Sequence, residues 1–167
     1  MKQIEKIAES ENFSAIGLGK LSELNEFVLE LNPAVKIPGK VFGGAALQAT
    51  GAEFSFQSYA PGTETGFLHT HKTHEELYFF LSGEGEFQVD GKIFPIGEGS
   101  VVRVAPAGRR SVRNTAQNEK AASKRKIAVS PYNGSGLPDD LQAAPPIRLS
   151  GRNLTEIRRQ RLRYISS

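Results

Sequence analysis

The sequence predicts an all-β fold, a barrel or sandwich built from short antiparallel strands. From residue 40 onward, Gly and Pro interrupt the chain every eight to twelve residues, and short apolar stretches fill the intervals. This rhythm is typical of antiparallel sheet proteins and differs from the alternation of strands with long helices that a parallel sheet requires. Asp90 and Gly91 lie between two such stretches and form a typical hairpin turn, because both positions of that turn favour positive φ.

Nine stretches have the length and the apolar or aromatic content of strands. Glycine and proline bound most of them, as turn chemistry requires. These predicted strands are residues 45–49, 53–59, 67–71, 76–81, 85–89, 92–95, 100–105, 111–114 and 126–130.

The barrel is expected to span residues 40–130, between two terminal segments. The segment 1–39 is expected to be partly helical or extended. Within it, Leu21, Leu24 and Val28 recur at helical spacing, whereas neighbouring apolar residues alternate as in a strand, so both interpretations stay open. The segment 131–167 is expected to be irregular and then helical, with Asn153 as the cap of the final helix.

Composition narrows the class of protein. A chain of 167 residues is long enough to bury one core and suits a single domain. It contains no cysteine, which excludes disulfides and thiolate metal sites. The first residues lack the apolar block of a signal peptide, and no stretch approaches a membrane span, so we expect a cytoplasmic protein without a membrane partner.

Charge is distributed unevenly along the chain. Residues 1–100 hold 7 Lys/Arg and 14 Asp/Glu, whereas residues 101–167 hold 14 and 4. A basic second half can attract nucleic acid or a small anion. No helix-turn-helix, zinc-finger or RNA-binding signature accompanies it, so we expect no nucleic-acid partner and interpret the charge as solvated surface.

The residues able to carry chemistry are concentrated in one stretch, 66–83, which reads GFLHTHKTHEELYFFLSG. It contains all three histidines of the protein. In a strand, side chains two apart share a face, so His69 and His71 would present two imidazoles side by side. A carboxylate at the start of the next strand would complete a site for a borderline divalent metal such as Zn, Fe, Mn or Ni.

This stretch resembles the first motif of the cupin superfamily, whose members are small jelly-roll barrels. The motif has His-x-His, three or four residues, Glu, six residues and Gly. His69 and His71 supply the pair, and only Glu76 lies six residues before Gly83, so the resemblance makes Glu76 the third ligand and turns Glu75 to the opposite face. The residues two and four after this glutamate, Tyr78 and Phe80, would line the same cavity.

The second cupin motif is present without its histidine. Its frame, Gly, five residues, Pro-x-Gly, two residues, His, three residues and Asn, resembles the run from Gly99 through Gly108 to Asn114. Counting back from Asn114 puts Arg110 at the histidine position, whereas counting forward from Gly108 puts Ser111 there. The two frames would direct the side chain to opposite faces of a strand.

Two interpretations of the site follow from the resemblance. In the first, His69, His71 and Glu76 hold a divalent metal with open coordination positions, and His74 is a candidate replacement for the lost ligand. In the second, Arg110 enters the cavity and holds a carboxylate or phosphate without a metal.

The resemblance implies a metal-dependent enzyme of the dioxygenase, decarboxylase or isomerase type that acts on a small polar or sugar-derived molecule. The alternative is a non-catalytic module that binds a small anion or sugar. No residue is assigned a catalytic role from sequence. Because cupins commonly pair through strand edges, we also expect a homodimer.

Overall fold

The computed structural model describes residues 2–116, 124–131 and 142–143, and in the last two ranges it describes the backbone alone. Within these residues, the helical structure consists of one 3₁₀ turn at Leu21–Glu26. The strands are β1 (Glu5–Ser10), β2 (Phe13–Gly17), β3 (Val28–Asn32), β4 (Val35–Pro38), β5 (Lys40–Phe42), β6 (Ala52–Tyr59), β7 (His69–Thr70), β8 (Glu76–Ser82), β9 (Gly85–Val89), β10 (Lys92–Ile96), β11 (Val101–Val104), β12 (Arg110–Asn114), β13 (Lys124–Pro131) and β14 (Gln142–Ala143).

The strands form two five-stranded sheets and two separate hairpins. One sheet has the order β10-β9-β12-β7-β14 and the other the order β11-β8-β13-β6-β5. All pairs within them are antiparallel, and strands far apart in sequence, such as β6 and β13, are neighbours. Two antiparallel sheets joined by such crossovers are the arrangement of a jelly roll. The predicted all-β fold is therefore confirmed.

Aromatic side chains fill the interior between the two sheets. Phe87 is fully buried, and its ring meets the edges of Tyr78 and Phe80 at centroid distances of 5.0 and 6.0 Å. Burying one such side chain contributes about 1.5–3 kcal/mol. The buried members of this core are Tyr59, Tyr78, Phe80, Phe87, Ile96, Val104 and Val112.

A second, smaller core attaches the N-terminal segment to the outside of the barrel. It contains Leu24 from the 3₁₀ turn, Phe27 from the cap that ends it, and Val41 from β5. Phe56, on the outward face of β6, packs against this cluster. In the segment 1–39, the 3₁₀ turn Leu21–Glu26 is followed by strand β3, so helical and extended structure are both present there.

Several predicted strands differ from those observed. The prediction for 45–49 is wrong, because this stretch is a turn with Gln48 at φ 54°. The predicted strand at 67–71 contracts to His69–Thr70. Within the segment 1–39, residues 5–17 form the antiparallel hairpin β1–β2. The remaining predicted strands from 53–59 to 126–130 overlap observed ones.

The hairpin turn between β9 and β10 is as predicted. Asp90 and Gly91 both have positive φ, at 50° and 80°. The carboxylate Oδ1 of Asp90 also accepts a 2.9 Å hydrogen bond from the backbone N–H of Arg109, next to β12. The turn therefore anchors the start of the strand that carries Arg110.

The predicted final helix beginning at Asn153 lies outside the described residues. Across the part of the chain that is described, no helix is long and apolar enough to cross a membrane. The cytoplasmic location expected from the sequence stays a prediction.

Two leucines of the 3₁₀ turn provide a test of the smaller core. Leu24 is fully buried, whereas Leu21 is 37% exposed. We expect Leu24→Ala to lower the free energy of unfolding by about 2–5 kcal/mol, because it removes packed methyl groups and leaves a cavity. Leu21→Ala, the matched control, should cost less than about 1 kcal/mol in urea titrations. Equal losses in the two variants would contradict the packing described.

Candidate metal centre

Three short elements bring the candidate ligands together. His69 lies in β7, where it pairs with Arg110 of β12. His71 follows directly after β7, and its backbone N–H donates to the carbonyl of Pro106 at 3.0 Å. Glu76 begins β8. The loop between β7 and β8 thus turns the chain so that a carboxylate returns beside the two imidazoles.

The three side chains converge on one small volume. His71 Nε2 lies 3.3 Å from Glu76 Oε2, and His69 Nε2 lies 3.8 Å from the same oxygen. One donor atom from each residue lies within 4.8 Å of the other two. In the described residues this is the group of histidine and carboxylate side chains that could hold a metal ion.

Arg110 completes the cluster from the opposite strand. Its side chain is fully buried, and both Nε and Nη2 donate to Glu76 Oε2, at 3.0 and 2.7 Å. Nη1 donates to the carbonyl oxygens of Pro106 and Gly108, at 3.2 and 2.9 Å. The guanidinium is therefore fixed at both ends, with its charge directed at the carboxylate.

Tyr78 contributes a further hydrogen bond to the same oxygen. Its hydroxyl donates to Glu76 Oε2 and accepts from Arg110 Nε at 3.3 Å. Burial and then the negative charge of Glu76 raise the pKa of Tyr78 well above its usual value. The phenol consequently stays protonated and acts as a donor, not as a base.

Glu76 is ionised in spite of its surroundings. Burial alone would raise the pKa of this carboxyl, but the adjacent imidazoles of His69 and His71 and the positive charge of Arg110 outweigh it and hold the pKa well below its usual range. The contacts of Arg110 and Tyr78 are all made to Oε2, so none of them occupies Oε1. The carboxylate thus carries a full negative charge, and neither Arg110 nor Tyr78 donates a hydrogen bond to its second oxygen, Oε1.

The other residues singled out from sequence lie around this cluster. His74 is buried against His71, with ring centroids 4.1 Å apart, and does not belong to the group of three. Phe80 lies in the aromatic core. Glu75 is at the surface, where its carboxylate forms an ion pair with Arg103.

The structure also decides between the two frames of the second motif. Arg110 points to the triad, whereas the Ser111 hydroxyl donates to the carbonyl of Thr65 at 3.4 Å on the other face of β12. Asn114, from which the correct frame is counted, is fully buried and donates through Nδ2 to the carbonyl of Tyr59 at 2.9 Å. Arg110 therefore stands where the family pattern has its second-motif histidine.

The burial of two polar residues is not predicted from the sequence. Ser55 and Gln57 are 3% and 5% exposed on β6, a strand correctly predicted. Their alternation with Tyr59 was the available signal, because residues two apart on a strand share a face.

Comparison with known proteins identifies the barrel. Residues 55–122 match the family model described as a cupin domain. A solved cupin protein from Bacteroides fragilis is 27% identical, with a TM-score of 0.52, over 64% of this chain and 84% of that chain. Residues 55–122 of this chain are therefore similar to a cupin domain, in agreement with the jelly-roll arrangement of the two sheets.

Two further relatives fit the same fold. An oxalate-binding protein from Thermotoga maritima is 35% identical over 66 residues, which are 40% of this chain and 54% of that protein. The chain thus spans about half the length of this curated relative. A conserved protein with a double-stranded β-helix domain from Klebsiella pneumoniae has a TM-score of 0.53 at 17% identity, over 72% of this chain and 93% of that chain, and shows the fold alone.

The Arg110–Glu76 pair provides a stability test of the site. We expect Arg110→Met to lower the free energy of unfolding by about 3–5 kcal/mol, because it leaves the buried carboxylate uncompensated. Adding Glu76→Gln should recover part of this loss, so the double variant should lose less than the sum of the two single variants. The measurement is urea unfolding in the presence of a chelator. Strictly additive losses would contradict the coupling.

Proposed function

We propose that this cupin barrel binds one divalent metal ion through His69, His71 and Glu76, and that a small anionic molecule binds beside the ion. The observation that carries the proposal is the convergence of two Nε2 atoms on one ionised carboxylate, at 3.3 and 3.8 Å. Imidazole and carboxylate together suit Zn, Fe, Mn or Ni, and the absence of cysteine removes the softer alternatives.

The spacing of the donors fits one ion. Nitrogen and oxygen ligands lie about 2.0–2.2 Å from Zn²⁺, so two ligands of one tetrahedral ion are about 3.3–3.6 Å apart. The separation involving His71 falls in that range, and the one involving His69 is wider by a few tenths of an ångström. A divalent ion held there would act as a Lewis acid toward a carboxylate or carbonyl oxygen.

Charge balance supports an anionic partner. With neutral imidazoles, the negative charge of Glu76 and the positive charge of Arg110 cancel. A divalent cation would bring a net charge of +2 into a largely buried site, which is costly unless an anion accompanies it. The oxalate-binding relative, by its name, binds a small dicarboxylate, and this is consistent with an anionic ligand here.

The metal-free alternative, in which Arg110 grips the ligand, has less support. A two-point grip needs two guanidinium N–H groups directed at the anion. Here Nε and Nη2 already donate to Glu76, and Nη1 donates to two carbonyl oxygens. We therefore assign Arg110 a positioning role, in which it holds Oε2 of Glu76.

An enzymatic activity of the dioxygenase, decarboxylase or isomerase type would need a group near the site that can transfer a proton, and the described residues offer few candidates. Glu75 is paired with Arg103 at the surface, and the raised pKa of Tyr78 makes it a donor. His74, packed on His71, is the candidate base that a dioxygenase, decarboxylase or isomerase activity would use.

Metal content tests the proposal directly. His71→Ala removes one of three ligands, and we expect the metal retained after purification and desalting to fall at least tenfold. Elemental analysis of the purified variants measures it. Glu75→Ala is the matched control, because this neighbouring carboxylate faces the surface, and it should keep the wild-type metal content. Unchanged metal in His71→Ala would sink the proposal.

We also propose that two copies of the chain associate. The hairpin β1–β2 pairs with no further strand among those described, and it exposes Ile7 and Phe13 by 65% and 57%. An isolated hairpin is at best marginally stable in water, so a second copy that covers these side chains would stabilise it. Sedimentation at micromolar concentration should give the mass of a dimer, and Ile7→Glu should shift it toward one chain. A wild-type mass of one chain would refute this.

A further inference from the structure

The loop between β11 and β12 contacts both sides of the proposed metal centre. The carbonyl oxygen of Pro106 accepts hydrogen bonds from the backbone N–H of His71 at 3.0 Å and from Nη1 of Arg110 at 3.2 Å. The carbonyl oxygen of Gly108 accepts a second bond from the same Nη1, at 2.9 Å. The loop therefore fixes the backbone of one proposed ligand and also the guanidinium that holds the glutamate of the triad.

Close packing leaves this loop little freedom to move by itself. The N–H of Gly108 donates to the carbonyl of Ala105 at 3.0 Å, which closes a tight turn. A Cβ atom at Gly108 would lie 2.7 Å from Cγ1 of Val104 and 3.4 Å from Cγ1 of Val89. The loop thus packs on the last residues of β11 and β9, and a shift of either strand end would displace it.

The residue that follows β9 holds the other end of the loop. Asp90 accepts a 2.9 Å hydrogen bond at Oδ1 from the backbone N–H of Arg109. Its own N–H donates to the carbonyl of Arg109 at 3.0 Å. Arg109 directly precedes Arg110, so these two bonds fix the point at which the loop enters β12. Asp90 itself is exposed and is not one of the three residues of the triad.

The geometry of the turn does not by itself require this carboxylate. Asp90 has φ 50°, a conformation that Asn and Gly also adopt readily. Resting on the metal site proposed above, we propose that Asp90 is a positioning residue for the metal centre. Its carboxylate holds Arg109, and this keeps Arg110 and the carbonyl that binds the N–H of His71 in one arrangement. The triad is thereby preorganised, so metal binding does not include the entropic cost of ordering it.

Two substitutions at this position separate the hydrogen bond from the turn. Asp90→Asn keeps an acceptor oxygen without the charge, whereas Asp90→Gly removes the acceptor, and both tolerate positive φ. Zn²⁺ affinity is measured by competition with a chelator of known affinity. Asp90→Gly should bind Zn²⁺ about three- to tenfold more weakly than the wild type, which corresponds to the net contribution of one hydrogen bond. Asp90→Asn should stay within about twofold of the wild type, because the acceptor is retained.

Asn32→Ala is the matched control for a general loss of stability. Oδ1 of Asn32 accepts a 3.0 Å hydrogen bond from the backbone N–H of Ala34, an exposed bond of the same kind in the turn between β3 and β4. Urea unfolding should show a similar small loss of stability in Asn32→Ala and in Asp90→Gly. Only Asp90→Gly should bind Zn²⁺ more weakly, because Asn32 lies in a hairpin that belongs to neither five-stranded sheet.

The outcomes distinguish this inference from the metal site on which it rests. Equal Zn²⁺ affinities of Asp90→Gly and Asp90→Asn would overturn the positioning role, since the hydrogen bond would then not matter to the ion. An equal weakening in Asn32→Ala would overturn it as well, because the effect would follow stability alone. In both cases the metal site stands. A wild-type protein that binds no Zn²⁺ would contradict the metal site itself, and with it this inference.

Discussion

The site depends on one buried ion pair, Arg110 with Glu76. A carboxylate at this depth would lose its charge unless opposite charge and hydrogen bonds compensated for burial. Arg110 supplies two hydrogen bonds to one oxygen, and Tyr78 supplies a third donor to the same atom. The backbone carbonyls of Pro106 and Gly108 hold the other end of the guanidinium. The loop before β12 thereby determines where the charge of Glu76 lies.

In this arrangement, an arginine that hydrogen-bonds Glu76 stands in the position of a metal-ligating histidine. Where the cupin pattern places its fourth metal ligand, this chain places Arg110, which cannot ligate a cation but holds Glu76, one of the three proposed ligands, in place. Partners that orient ligands are a general feature of metal sites and affect metal affinity strongly. Under this account, the missing histidine leaves coordination positions open and adds positive charge nearby, and both consequences favour an anionic ligand.

Local chemistry made much of the fold predictable from sequence. Asp90 and Gly91 predict a turn because few residues tolerate positive φ. The spacing of His69, His71 and Glu76 is distinctive enough to predict that they form one site. The strand predicted at residues 45–49 is wrong, because a short apolar run by itself does not distinguish a strand from a buried turn. Whether Arg110 or Ser111 faces the triad rests on a one-residue frame, which only the register of β12 against β9 decides. Ser55 and Gln57 alternate with Tyr59 on β6, which indicates a shared face, but the sequence does not show that the second sheet covers that face.

The central claim is that His69, His71 and Glu76 hold a metal ion while Arg110 stays on Glu76. The most direct test is an anomalous difference map from crystals of the purified protein, collected at the absorption edge of the metal that elemental analysis finds. The account predicts one peak bounded by the three ligands, with the guanidinium still donating to Oε2. A protein that carries no metal, or a peak elsewhere with the Arg110–Glu76 pair unchanged, would contradict it.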